Sequence, residues 1–183
     1  MRFAPTTLQD AVLIELDRHA DERGYFARTF CRKEFADAGL ETDFVQGNMS
    51  FNHVKGTLRG MHFQRAPHEE VKVVRCISGA IYDVIIDLRP ASPSYLKWQG
   101  FTLSAENGRQ LYVPRGFAHG FLTLCDGAAV VYQVSAFYAP GAEGGVRWND
   151  PRFAIAWPGD VAVASPKDAA WPDFSPQLWE TTR

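Results

Sequence analysis

The chain has 183 residues, 46% of them hydrophobic and 22% charged, which suits one domain over 1–183 with a sizeable core. A formal net charge of −2 gives no reason to expect nucleic acid or an anionic membrane as a partner. Cys31, Cys76 and Cys125 form no CxxC pair, no apolar run reaches the length of a membrane span, and the first ten residues lack the basic-then-apolar order of a signal peptide, so a cytoplasmic protein without zinc or a disulfide framework is expected.

Taken in chain order, strand-like runs fall at 12–16, 24–31, 56–63, 71–77, 80–88, 98–103, 110–113, 116–124 and 128–137. Turn pairs such as Ser78-Gly79, Arg89-Pro90, Asn107-Gly108 and Asp126-Gly127 separate them. Between the second and third runs, 32–38 reads as a short helix ended by Gly39. Many short strands at close spacing predict a sandwich or barrel. From Pro140 onward the chain is rich in Pro, Gly and Trp. This part is predicted to fold over the barrel as loops and short helical turns, because Trp148, Trp157 and Trp171 would be costly to leave exposed.

Two segments carry recognisable spacing. Gly108 is followed by five residues, Pro114, one residue, Gly116, two residues and His119, which is the pattern of one cupin motif. Its Pro-x-Gly turn would aim His119 into a barrel mouth. Gly56-Thr57-Leu58-Arg59-Gly60-Met61-His62-Phe63-Gln64, followed by Glu69, fits the other cupin motif with one change. Metal cupins want His-x-His there, and Gln64 stands at the second histidine. An amide oxygen is a weak donor for zinc, iron or nickel, so no metal is expected on His62, Glu69 and His119.

The same stretches hold groups suited to removing a proton beside a carbonyl. That chemistry needs a base near the C–H, a cation or donor for the enolate oxygen, and an acid on the opposite face if the centre is to invert. His62 can be the base, since imidazoles titrate near neutral pH. Lys72 is a lone cation in an apolar run, and Tyr132 a phenol on another. Taken alone, Lys72 also reads as an edge lysine and Tyr132 as core packing. Arg23 and Arg59 each sit beside a glycine, and guanidinium groups suit a diphosphate.

Together these segments resemble the dTDP-4-dehydrorhamnose 3,5-epimerase family. The matching pieces include Asp21-Glu-Arg-Gly-Tyr-Phe26, Gln46-Gly-Asn48-Met-Ser50, Gly56 through Gln64, Pro114-Arg-Gly-Phe-Ala-His119-Gly-Phe121, Trp148-Asn149-Asp150-Pro151 and Ser165-Pro-Lys-Asp168. They run in family order across nearly the whole chain. The resemblance implies an all-β cupin fold, a double-stranded β-helix jelly roll with a few short peripheral helices. It implies an isomerase that inverts C3, C5 or both of a nucleoside-diphosphate 4-keto-6-deoxyhexose, in deoxysugar biosynthesis. It implies no cofactor and a homodimer with exchanged strands and shared sites.

The resemblance also implies roles. His62 would be the base, paired with Asp168; Tyr132 would be the acid; Lys72 would help stabilise the enolate. Arg23, Arg59 and His119 would surround diphosphate and sugar, and Gln46 and Asn48 would contact the nucleotide. Phe26 and Tyr138 would pack on the base, with Glu143 and Lys167 as further ligand contacts. Asp83, Asp87 and Arg89 read instead as structural groups at a strand end. Arg28 stands where many members carry a glutamate facing the nucleotide, and Gln133 where many have lysine. The alternatives are an epimerase acting at one centre of another 4-keto sugar, a metal-dependent cupin, a ketoisomerase and a non-catalytic binding module.

Overall fold

A computed structural model describes residues 1–177. Its strands are β1 (Arg2–Pro5), β2 (Val12–Glu15), β3 (His19–Asp21), β4 (Gly24–Phe26), β5 (Gln46–Asn52), β6 (Thr57–Gln64), β7 (Lys72–Ser78), β8 (Ala80–Asp87), β9 (Trp98–Ser104), β10 (Gln110–Val113), β11 (Phe117–Thr123), β12 (Ala128–Val134), β13 (Glu143–Gly145) and β14 (Val163–Ala164). Two short helices are α1 (Arg32–Asp37) and α2 (Pro166–Ala169). One sheet runs β1-β2-β10-β7-β12-β5 and a second β13-β6-β11-β8-β9, with β14 added in parallel to β6 and β3-β4 forming a separate hairpin. The two facing antiparallel sheets make a β-jelly roll of the cupin type.

Alternation along the strands produces three apolar layers. Val74, Cys76, Leu111 and Val130 from the first sheet meet Ile81, Ile85, Leu103, Phe117 and Phe121 from the second, filling one end of the space between them. Their intervening neighbours face outward. Val73 and Tyr112 pack under α1 with Phe35, while Met61, Phe63, Val84 and Ile86 pack under Phe153, Phe174 and Trp157 of the C-terminal segment. The outer face of the second sheet is thus covered and that of the first is covered in part, leaving Met49 and Phe51 of β5 and Ile77 of β7 exposed, while the other end of the inter-sheet space is free to be polar.

The chain departs from the sequence reading at several strands. The run at 24–31 stops pairing at Phe26. Beyond it the chain leaves the ladder so that Phe30 can pack edge-on against Phe35 and Phe44, at ring-centroid distances of 4.9 and 5.5 Å. The run at 128–137 ends at Val134. β1, β3, β5, β13 and β14 were not expected as strands. The C-terminal part does form turns and the single-turn helix α2, whose N-cap Ser165 accepts a bond from the Asp168 backbone N–H at 3.0 Å, with Pro166 at the start of the helix. No helix of the described residues is long and apolar enough to cross a membrane.

Candidate active site

The polar end of the inter-sheet space is a cleft with two lobes, of about 410 and 270 Å³. His62, Lys72 and Tyr132 line both lobes. Strand register explains their convergence. His62 on β6 is the cross-strand partner of His119 on β11, and Tyr132 on β12 is the partner of Val74 on β7 and Asn48 on β5. His62 and Tyr132 therefore enter the cleft from opposite sheets.

His62 is held by a residue 106 positions away. Its Nε2–H donates to Asp168 Oδ1 at 2.5 Å, and the Asp168 side chain is almost wholly buried. Burial alone would push this carboxyl up. The bonds from His62 and Ser165 and from the Gly60 backbone outweigh it and hold the group below its ordinary value, as a carboxylate. With Nε2 committed, Nδ1 is the ring nitrogen without a partner among the described residues. His119 forms a second such pair, its Nε2 lying 2.9 and 3.0 Å from the two oxygens of the fully buried Asp83. Asp83 is thus a partner of a cleft residue. Only Asp87 serves as the expected strand-end cap, accepting from Arg89, Ser92 and Ser94.

Lys72 and Tyr132 stand on the other sheet. The Lys72 ammonium lies 3.1 Å from Glu70 Oε1, both side chains being 12% exposed. Burial, and after it the negative charge of Glu70, raise the Tyr132 phenol above its ordinary value despite the opposing charge of Arg59, so the phenol keeps its proton at neutral pH. Arg59 is itself steadied by Asn52, whose Oδ1 accepts from Nε at 2.7 Å.

The smaller lobe is closed by the segment after β12. Gln46 Oε1 accepts from the Tyr138 backbone N–H at 2.7 Å, and Lys167 pairs with Glu143. Gln46, Asn48, Tyr138 and Glu143 line this lobe; Arg59, His119, Lys167 and Asp168 line the larger one. Gln64 turns its amide to the same segment, with Oε1 accepting from Ala139 N–H at 2.8 Å. Glu69, the carboxylate of the broken metal motif, lines neither lobe.

Three expected ligand contacts lie elsewhere in this chain. Arg23 sits on the β3–β4 hairpin paired with Asp21, Phe26 is 69% exposed, and Arg28 pairs with Glu34 of α1. Conversely, the sequence reading assigned no role to Glu70, Ser50, Asn52 or Phe121, all at or beside the cleft. Ser50 Oγ is buried with no partner among the described residues. Only Ser50 and Phe121 carried a signal, as members of the family-like segments.

Comparison with known proteins finds relatives along nearly the whole chain. A family model described as dTDP-4-dehydrorhamnose 3,5-epimerase matches residues 5–176. The dTDP-4-dehydrorhamnose 3,5-epimerase of Methanothermobacter thermautotrophicus is 45% identical over 173 residues, 93% of this chain and 92% of that protein. The crystal structure of the same-named enzyme from Bacillus anthracis, with TDP and PPi bound, superposes with a TM-score of 0.92 at 42% identity, covering 94% of this chain and 99% of that one. The dTDP-6-deoxy-D-glucose-3,5-epimerase of Legionella pneumophila, in complex with dTDP-4-keto-L-rhamnose, reaches 0.90 at 37% identity over 97% and 96% of the two chains. A jelly roll of this topology, with ordered motifs and a match along nearly its whole length, places the chain in the dTDP-4-dehydrorhamnose 3,5-epimerase family.

Proposed function

We propose that this chain is an isomerase that inverts C3, C5 or both of a dTDP-linked 4-keto-6-deoxyhexose, within deoxysugar biosynthesis. The observation that carries the reading is the His62–Asp168 pair, at 2.5 Å, facing a cleft whose opposite wall presents Tyr132 and Lys72. The C4 ketone acidifies the C–H bonds on either side of it. His62 Nδ1 takes one such proton, and the electron pair moves onto the carbonyl oxygen. Asp168 fixes the imidazole tautomer and balances the imidazolium that forms. The Lys72 ammonium stabilises the enolate oxygen in a site partly shielded from water. Tyr132, entering from the other sheet, gives its proton to the opposite face of the carbon, which inverts the centre.

The remaining contacts suit the rest of a dTDP-sugar. Arg59 and His119 would face diphosphate and sugar, Gln46 and Asn48 the nucleotide, and Tyr138 the base, with Glu143 and Lys167 at the rim. Arg23, Phe26 and Arg28 are assigned to the cleft of a second copy. Two features support that assignment: these residues are displayed on the surface of their own chain, and the edge strand β5 presents an apolar outer face. Met49 and Phe51 are exposed there, with Ile77 of β7 on the same sheet. The test is direct incubation with dTDP-4-keto-6-deoxyglucose, with product stereochemistry read by NMR. Inversion at C3, C5 or both is expected; no inversion with any dTDP-4-keto sugar would overturn the proposal.

A further inference from the structure

Glu70 is an unexpected carboxylate in this cleft, and its surroundings are unusually well defined. Oε1 lies 3.1 Å from Lys72 Nζ, while Oε2 accepts from Gln64 Nε2 at 3.2 Å. The orientation of the Gln64 amide follows from its other bonds. Its Oε1 accepts from the Ala139 backbone N–H, which can only donate, so its Nε2 faces three acceptors that share its two hydrogens: the His68 carbonyl at 3.0 Å, Glu70 Oε2 at 3.2 Å and the Phe137 carbonyl at 3.3 Å. The amide nitrogen must therefore face Glu70, and it offers that carboxylate a hydrogen. Gln64 is the residue at which the metal-cupin spacing breaks, so its amide is used as a brace.

We propose that Glu70 is a positioning residue of the epimerisation: braced by Gln64, it fixes the Lys72 ammonium against the reacting carbonyl and ties it to the segment that carries Tyr138. This rests on the reaction proposed above. Lys72 has three donors and a flexible four-carbon stem. One donor committed to Glu70 sets the direction of the other two, so the oxyanion meets a cation that needs no reorganisation. The same carboxylate faces Tyr132 and helps keep the phenol protonated until it is needed. Through Gln64, whose partners include Phe137 and Ala139 on either side of Tyr138, a ligand seated on Tyr138 bears on the placement of Lys72. Binding energy from the nucleotide end is thereby available at the sugar.

The test compares wild type with Glu70→Gln, which keeps the shape and the Gln64 contact but removes the charge, and with Gln64→Met, which removes the brace. Turnover and KM for the dTDP-4-keto sugar are measured, with dTDP binding by calorimetry. Glu70→Gln is expected to lower kcat ~10-fold or more while KM and dTDP affinity stay within about threefold, and Gln64→Met to lower kcat in the same sense by less. A second readout needs no substrate: ultraviolet titration of the Tyr132 phenol, taken as the difference from Tyr132→Phe. Titratable and charged groups in the cleft around the phenol are Arg59 and His62 of β6, Glu70 just before β7, Lys72 at its start, His119 of β11 and Glu143 of β13. Asp168 and Lys167 are spent on His62 and Glu143. Removing the Glu70 charge is expected to move Tyr132 ionisation to lower pH. Unchanged kcat in a Glu70→Gln protein that binds dTDP would overturn the proposal, as would equal loss of kcat and dTDP binding. Should wild type itself invert no centre, the reading of the reaction falls, and an unmoved Tyr132 titration then overturns the placement of Glu70 as well.

Discussion

Burial alone would push the Asp168 carboxyl up, yet its bonds from His62, Ser165 and Gly60 hold it below its ordinary value, as the carboxylate that an imidazole needs for a partner. A carboxyl held below its ordinary value of 3.8 stabilises the fold fully above that pH and loses the contribution as pH falls through the lowered value. Asp168→Asn is therefore expected to lower the urea midpoint at about pH 7, with the gap from wild type closing as the pH is taken below the ordinary carboxylate range. It is also expected to cut turnover by ~10²-fold or more, because the tautomer and the imidazolium lose their partner. A gap that does not narrow in acid would contradict the ionised assignment. At this scale, His62, Asp168, Lys72 and Tyr132 were legible from ordered motifs. Glu70 and Asp83 were not assigned to the cleft, because partners brought together by the fold, such as Gln64 on the facing sheet for Glu70 and His119 on the adjacent strand for Asp83, leave no period in a sequence.

Strands whose apolar residues face the core were legible as elements, and β5 shows why others were not. Its inward positions Gln46, Asn48, Ser50 and Asn52 are polar because they line or border the cleft, while Met49 and Phe51 point outward. The usual apolar-in pattern is reversed there, and the segment reads as a loop. β13, Glu143-Gly-Gly145, reads as a loop for a related reason: a side chain at Gly145 would fall 2.2 Å from the Trp171 ring. β6 owes the aim of Arg59 and His62 to Gly60. With φ at +140° and a would-be Cβ 2.5 Å from Gly120 Cα, Gly60 lets β6 and β11 approach at their register shift. Gly60→Ala is expected to cost ~2 kcal/mol or more in urea unfolding. Ser165→Ala is expected to cost ~1 kcal/mol and to lower kcat, since the cap of α2 also places Asp168.

On the scale of the whole molecule, the distribution of predicted ligand residues is informative. One chain brings His62, Lys72, Tyr132, Asp168, Arg59 and His119 into its cleft, whereas Arg23, Phe26 and Arg28 stand outside it. The sequence motifs group them together because a motif carries no information on which copy of a chain a side chain serves. The proposed second copy makes two outcomes expected. Met49→Asp, on the exposed apolar face, should shift the protein from dimer to monomer in sedimentation. Mixing inactive Arg23→Ala and His62→Ala proteins should restore activity, because a mixed dimer contains one cleft with both residues intact. A monomeric wild type, or no recovery on mixing, would contradict the shared cleft.

The central claim is that His62 removes and Tyr132 returns the proton, from opposite faces. It is tested most directly by deuterium incorporation from D2O into a dTDP-4-keto-6-deoxy sugar, read at C3 and C5 by NMR for wild type, His62→Ala and Tyr132→Phe. Wild type should give label with inversion and His62→Ala neither. Tyr132→Phe should still give label, now with the configuration retained, because His62 can exchange the proton that it removes. Label and inversion persisting in His62→Ala, or inversion persisting in Tyr132→Phe, would contradict the mechanism.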